Sequence, residues 1–469
     1  MTAAMQARAE GPLPASATGI SIDSRTLSPG EAFFAIEGEN RDGHAFVPSA
    51  LERGAAVAVV TDSKRDEMPA GAPLLIVADV LQGLRELARA ARARSPANVI
   101  GVTGSVGKTS SKEALRLALS PEGETHASAA SYNNHWGVPL SLARCPESAR
   151  FAVFELGMNH AGEISPLTRL VRPHVAIITT IEPVHLEFFD SLDAIADAKG
   201  EIFEGVEPGG AAVVNRDIPQ YERLAARARH VGVENVVGFG AHSDAEARLI
   251  KCTLHPSCSV VEARILGTEV AYKLGAPGRH LVMNSLAVLA AAALADADLA
   301  LAALALAQLK PATGRGSRIP LELPGGPALL IDESYNANPA SMRAALELLG
   351  QASVGPRGRR IAVLGDMLEL GESASDLHRG LTEPISNNAV DLVFCSGPLM
   401  RSLWEALPSG QRGGYAETSA ALESEVLAVI RAGDAVMIKG SLGSKMGPIV
   451  KALTRRYAEP TRADALAQG

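Results

Sequence analysis

The 469-residue chain is poor in several things that would each have pointed somewhere specific. Its four cysteines, Cys145, Cys252, Cys258 and Cys395, are scattered and never form a Cys-x-x-Cys pair, which argues against a disulfide framework or a thiolate metal site and fits a reducing, cytoplasmic setting. Basic residues are outnumbered, 44 Lys and Arg against 52 Asp and Glu, and form no block, so a nonspecific nucleic-acid-binding role is not expected. No long uninterrupted apolar run occurs. The Ala/Leu-rich stretch 286–309 is broken by Asp296 and Asp298 and reads as a buried helix or helix pair, not as a membrane span. Residues 1–19 carry early charge and proline and lack the apolar centre of a secretory leader. Aromatics make up only 4% of a chain that is 47% hydrophobic, the composition of an α/β protein built from Ala, Val and Leu.

A chain this long exceeds a single core, and three zones separate along it. Residues 1–97 hold short apolar runs at 32–36, 56–60 and 74–77 and a helical pattern at 80–94, closed by Ser95-Pro96. Residues 98–311 alternate strand and helix, with strands expected at 99–102, 152–156, 175–179 and 211–214, the rhythm of a doubly wound parallel sheet. Residues 312–469 restart that rhythm at 328–331, 360–364, 392–395 and 435–438. A second Rossmann-like domain without a Gly-x-Gly-x-x-Gly fingerprint is therefore expected there, followed by a polar, frayed tail after Tyr457.

The most informative segment joins the first central strand to its helix: Gly104-Ser105-Val106-Gly107-Lys108-Thr109-Ser110. Glycines let backbone N–H groups turn inward around phosphate oxygens, and the following helix adds its positive end. Lys108 then reaches the terminal phosphates, and the Thr109 hydroxyl is suited to Mg²⁺. Val102 stands where the longer phosphate-loop pattern has its first glycine, so the motif is the short form. Glu155 closes an apolar run and is placed, as a strand-end carboxylate, to take a hard cation. Taken singly, Glu155 also reads as an ordinary strand-end acid, His185 as a structural histidine and Lys199 as a solvated helix lysine.

Together these residues match a pattern. The chain resembles the Mur ligase family, ATP-dependent amide-forming ligases of peptidoglycan precursor synthesis, over nearly its full length. The resemblance rests on Asp23-Ser24-Arg25 and Asp42-Gly43-His44 near the N-terminus; on the phosphate loop, Asn133-Asn134, Glu155-Leu156-Gly157-Met158-Asn159, His185-Leu186-Glu187 and Gly278-Arg279-His280 with Asn284 in the centre; and on Gly314-Arg315, Asp332, Leu364-Gly365-Asp366 and Lys439-Gly440-Ser441 beyond it. The run Ser334-Tyr335-Asn336-Ala337-Asn338-Pro339-Ala340-Ser341-Met342 is similar to members that add D-alanyl-D-alanine, and the Asp-Asn-Pro-Arg motif of diaminopimelate-adding members is absent.

What the resemblance implies is specific. Three α/β domains are expected: a uridine-nucleotide-binding domain (1–97), a central phosphate-loop domain (98–311) and a C-terminal Rossmann-like domain (312–469). ATP would lie on Gly104, Ser105, Val106, Gly107, Lys108, Thr109 and Ser110, with Asn284 at the adenine, Arg315 at the phosphates and Asp332 at the ribose. Thr109 and Glu155 would hold one Mg²⁺. His185 and Lys199, the latter carbamylated by CO₂, would serve a second, with Lys108, His185 and Lys199 forming the catalytic set. Ser24 and Arg25 would meet the uridine nucleotide, and Asn133, Asn134, Tyr335, Asn336 and Asn338 the peptides. The implied substrates are UDP-N-acetylmuramoyl-tripeptide and D-Ala-D-Ala, handled by a cytoplasmic, monomeric enzyme with no membrane or nucleic-acid partner. Leu442 departs from the arginine common after Lys-Gly-Ser, and Thr180 and Glu182 from the Asn and Gly often found before the histidine. Another amide-ligase step, and a nucleotide-binding regulator without catalysis, are the alternatives. The lysine at 199 speaks against the regulator, because a binding module has no use for it.

Overall fold

The computed structural model describes residues 1–38, 41–129, 131–184 and 186–457, arranged around three sheets. The N-terminal sheet contains β1 (Arg8–Glu10), β2 (Gly19–Ser21), β3 (Glu31–Phe34), β4 (Val57–Thr61) and β5 (Leu74–Val77) in the order β1-β5-β4-β3-β2. All pairings are parallel except that of β1 with β5. The helix Val80–Arg94, capped by Asp79, then leads out of this domain. Its buried Arg92 donates to the carbonyls of Val171 and Arg172, each at 2.8 Å, so the linking helix is pinned to the central domain where Ser95-Pro96 ends it.

The central sheet has nine strands: β6 (Asn98–Thr103), β7 (Thr125–Ala127), β8 (Phe151–Glu155), β9 (Val175–Ile178), β10 (Ala211–Asn215), β11 (Asn235–Gly240), β12 (Ala247–Leu254), β13 (Ser259–Ile265) and β14 (Thr268–Leu274). Their order is β14-β13-β12-β11-β10-β9-β6-β8-β7. The chain leaves β6 toward β7 and β8 on one side and returns to β9 on the other, so β6 sits at the point where winding reverses. In open α/β sheets the crevice at the carboxyl ends of such strands is where ligands bind. Both sheet faces are covered, one by the helices Lys108–Leu119 and Arg279–Leu294, the other by helices including Ile164–Val171 and Leu192–Gly200.

The expected doubly wound sheet is present, but it is extended by something the strand–helix reading did not anticipate: β12, β13 and β14 form an antiparallel meander. The alanine-rich stretch is a helix pair, Arg279–Leu294 and Leu299–Ala305. The two aspartates that interrupt it account for the break. Asp296 adopts φ +60°, and the Asp298 carboxylate caps the second helix by accepting from the N–H groups of Ala300 and Leu301. Among the described residues no helix is long and apolar enough to cross a membrane.

The third sheet comprises β15 (Ser317–Leu323), β16 (Gly326–Glu333), β17 (Arg360–Gly365), β18 (Leu392–Ser396), β19 (Arg412–Ala416) and β20 (Ala435–Lys439), in the order β15-β16-β20-β17-β18-β19. It is parallel apart from β15, which returns antiparallel against β16. The polar tail from 458 onward lies outside the described residues.

Candidate active site

The phosphate loop is built where β6 ends. Gly104 and Gly107 adopt φ +144° and +88°, conformations that side chains rarely take, and a Cβ would run into Thr179 at the first and the Asn284 amide at the second. Neighbouring strands hold the loop from outside. The Thr179 hydroxyl donates to the Val106 carbonyl (2.5 Å), while Ser105 is stitched to the segment after β9 by its N–H on the Thr180 carbonyl (2.9 Å) and its hydroxyl on the Glu182 carbonyl (3.1 Å). Gly107 precedes the first turn of the helix Lys108–Leu119, so N–H groups and the helix dipole face the space in front of the loop.

That space is a cavity of about 530 Å³, lined from two domains. The central domain contributes Ser105, Val106, Gly107, Lys108, Thr109, Ser110, Asn133 and Glu155. One face of the helix Arg279–Leu294 adds His280, Met283 and Asn284, which its i, i+3, i+4 spacing brings together. Gly314 and Arg315 from the linker, and Tyr335, Asn336 and Asn338 from the start of the third domain, close the opposite side.

Inside the cavity the polar groups are ordered. Lys108 Nζ donates to the Gly104 carbonyl (2.6 Å), folded back over its own loop. Burial pushes its pKa down, against the pull of Glu155 and together with the charge of Arg315. Glu155, 1% exposed at the end of β8, accepts from the Thr109 hydroxyl (2.9 Å) on one oxygen and from Asn133 Nδ2 (2.8 Å) on the other. Arg315 lies over the Tyr335 ring at 4.3 Å and reaches Ser131 Oγ at 3.5 Å, tying the linker to both domains.

The remaining expected residues divide. Gly104 shapes the loop and receives Lys108 without lining the cavity. Asp332 is buried and its carboxylate is engaged, accepting from the N–H groups of Gly314 (3.0 Å) and Ser334 (3.1 Å) and from the Ser334 hydroxyl (2.6 Å); it braces the linker. Asn134 Oδ1 accepts from the Gly137 N–H (2.9 Å), which shapes the turn into the next helix. Ser24 and Arg25 lie in the N-terminal domain away from this cavity, with Arg25 paired to Asp23 at 2.7 Å. His185 lies outside the described residues. Leu442 is 66% exposed and does not line the cavity.

Lys199 is the clearest correction to a residue-by-residue reading, because it is no solvated helix lysine: it is 1% exposed. Burial pushes its pKa well below the usual lysine range and the nearby charge of Lys108 adds to the effect. No carboxylate or carbonyl of the described residues receives a hydrogen bond from its amine. Position in the sequence did not signal this, since Asp193 and Asp197 on the same helix are exposed.

Several further cavity residues take no role from the sequence motifs, although Lys439 opens the Lys439-Gly440-Ser441 run and Thr180 and Glu182 stand just before His185. Glu333 and Lys439 end the adjacent parallel strands β16 and β20 in register and form a 3.1 Å ion pair, with Lys439 Nζ also donating to the Asn336 carbonyl (2.9 Å). Thr179, Thr180, Glu182 and Asn215 come from the carboxyl ends of β9 and β10. Their common signal is position at a strand's carboxyl end, which becomes useful only when the strand order is known.

Comparison with known proteins agrees with this arrangement. Three family models match in succession: "Mur ligase family, catalytic domain" over residues 16–92, "Mur ligase middle domain" over 102–292, and "Mur ligase, glutamate ligase domain" over 317–442. The UDP-N-acetylmuramoyl-tripeptide–D-alanyl-D-alanine ligase of Rickettsia prowazekii is 32% identical, covering 92% of this chain and 94% of its own. The chain belongs to the Mur ligase family. The Bacillus subtilis enzyme of the same name is 34% identical over 93% of each chain. A crystal structure of MurF from Acinetobacter baumannii is similar over 97% of both chains, with 29% identity and a TM-score of 0.82. This Mur ligase therefore has its relatives' three-domain architecture along essentially its whole length, and it is an ATP-dependent ligase.

Proposed function

We propose that this chain joins the C-terminal carboxylate of UDP-N-acetylmuramoyl-tripeptide to the amine of D-alanyl-D-alanine at the expense of ATP, in the cytoplasm and as a monomer. The observation that carries the reading is the shared cavity, in which a phosphate loop from one domain faces the Tyr335–Asn338 side of another. The peptide carboxylate attacks the γ-phosphorus, the bond to ADP breaks, and an acyl phosphate results. The dipeptide amine, having lost its proton, adds to the acyl carbon, and phosphate leaves as the amide forms.

The chain's own groups suit these steps. Lys108 and the N–H groups of residues 105–110 bind the phosphates and stabilise the charge that shifts toward the leaving ADP. Arg315 adds positive charge from the linker, Asn284 serves the adenine end, and Asp332 acts toward the ribose by fixing the Gly314 turn. Ser24 and Arg25 receive the uridine nucleotide. Asn133, Asn134, Tyr335, Asn336 and Asn338 orient the peptides. Because the cavity is lined from two domains, closure of the third onto the second aligns the reactants and keeps water from the acyl phosphate.

The donor set fits a hard cation. Thr109 Oγ1 and the Glu155 carboxylate are oxygen ligands 2.9 Å apart beside the phosphate site, suited to a magnesium ion that otherwise keeps water and phosphate oxygens. Among the described residues no three His, Cys, Asp or Glu side chains converge. A second magnesium would rely on His185 and on a carbamate at Lys199. Burial favours the neutral form of the Lys199 amine, which is the form that adds CO₂, and a carbamate there would be an anionic oxygen ligand. Bound magnesium supplies charge neutralisation between carboxylate and γ-phosphate.

The test is ADP release measured with UDP-N-acetylmuramoyl-tripeptide and a panel of amines. D-Ala-D-Ala is expected to support turnover at least tenfold better than D-Ala, L-lysine or diaminopimelate, because a site shaped for a dipeptide leaves polar groups unpaired with a shorter acceptor. Preference for diaminopimelate or lysine, with a shorter UDP-peptide as donor, would assign the chain to an earlier ligation instead.

A further inference from the structure

Lys112 lies one turn beyond Lys108 on the helix that follows the phosphate loop, yet it faces inward and is 0% exposed. An ammonium is expensive to bury unless it is paired, and an unbranched apolar side chain would fill the same space without that cost. Packing alone therefore does not explain a lysine here. Its Nζ donates to the Ser128 carbonyl (2.6 Å) and lies 3.1 Å from Glu113 Oε1.

Ser128 is where the chain leaves β7 and heads toward the cavity. Its N–H is held by the Val153 carbonyl of β8 (3.2 Å). Five residues on, Asn133 donates to Glu155 and its carbonyl accepts the Gly157 N–H (2.7 Å). Ser128 is thus anchored to the phosphate-loop helix, and Asn133 beside the phosphate site.

We propose that Lys112 is a positioning residue that couples the phosphate-loop helix to the segment bearing Asn133, so that the muramoyl peptide is presented in register with the bound phosphates. It touches neither substrate. The proposal rests on the reading above, in which Asn133 faces the muramoyl peptide.

The test is Lys112→Met, which keeps the length of the side chain and removes its charge, in the full-length protein. Expected are a circular dichroism spectrum like that of the parent, ADP affinity within about twofold, and a KM for UDP-N-acetylmuramoyl-tripeptide raised about tenfold with kcat changed less than threefold. In an Asn133→Ala background the same substitution should raise that KM less than twofold further, because the group being positioned is already gone. An unchanged KM in the single variant, a loss of ADP affinity matching the rise in KM, or a full tenfold effect in the Asn133→Ala background would each overturn the proposal. If Lys112→Met does not fold, Lys112→Gln carries the same comparison. If neither folds, the residue is structural and the proposal falls. Failure of the underlying reading is separable, since it shows in the unaltered enzyme as ADP release indifferent to D-Ala-D-Ala.

Discussion

Lys108 and Lys199 show how far the role of a side chain depends on what surrounds it. Lys108 lies at the surface of a cavity, bonded to its own loop, so its removal should spare the core. Lys108→Ala is expected to lose at least about a hundredfold in ligase turnover, the scale of losing one donor to a transition-state charge, while its melting temperature stays within a few degrees. Thermal melting beside an ADP-release assay checks both halves, and near-normal turnover in the folded variant would remove the phosphate-loop assignment. Lys199→Ala should be nearly inactive but regain part of its activity with formate or acetate, which can enter the vacated space as an anion. Lys199→Arg should gain nothing, because a permanent positive charge occupies that space. Equal responses of the two variants to formate would speak against a carbamate.

Elements of the third domain are held by groups that titrate, which gives the fold a pH dependence. The His378 imidazole on the helix Ala374–Arg379 is buried; it accepts from the Met367 N–H (3.0 Å) and donates to the Ala374 carbonyl (2.6 Å), tying the segment after β17 to that helix. Burial holds its pKa below the usual histidine value, against the opposing effects of the Ala374 carbonyl and Asp366. Below about pH 6.5 the unfolded chain takes up a proton that the native imidazole refuses, so stability from this group is present above that pH and is lost as pH falls toward the depressed native value. Asp366, whose carboxyl is pushed up by burial, works in the opposite sense and in the more acidic carboxylate range. His378→Gln should therefore flatten the decline in melting temperature between pH 7 and 5.5 relative to the parent; parallel declines would contradict the assignment. On the neighbouring strands, Lys439→Met should destabilise by about 3–5 kcal/mol, because it leaves the Glu333 carboxylate half-buried without its partner. Denaturant titration measures that loss.

Across the whole molecule, one cavity belongs to two sheets, so a nucleotide that binds the phosphate loop should be felt in the other domain. With Mg²⁺ and ADP, hydrogen exchange is expected to slow in residues 104–110 and 280–284 and also in 334–341, which follow β16. Protection confined to the central domain would show that the third domain does not close on the nucleotide. The phosphate loop, the strands adjoining it and the helix pair at 279–305 were legible beforehand because each is a local matter of glycine placement, apolar runs and charged interruptions. The meander β12–β14 does not continue the strand–helix rhythm that precedes it; its sign is local, the alternation of buried and exposed residues with a period of two along the whole of β13.

Local residue order sets where backbone can turn around a phosphate, which segments become strands and helices, and, through its motifs, which family the chain resembles. Those properties depend on neighbours a few residues apart. Which residues meet depends on how the sheets and helices pack. Strand order placed Glu155 beside Thr109, and in-register pairing of β16 with β20 joined Glu333 to Lys439. Packing buried Lys199 and Lys112 while leaving the aspartates around the former in water. Burial, and with it the charge a lysine can carry, is a property of everything packed around a side chain, and no spacing along the chain encodes it.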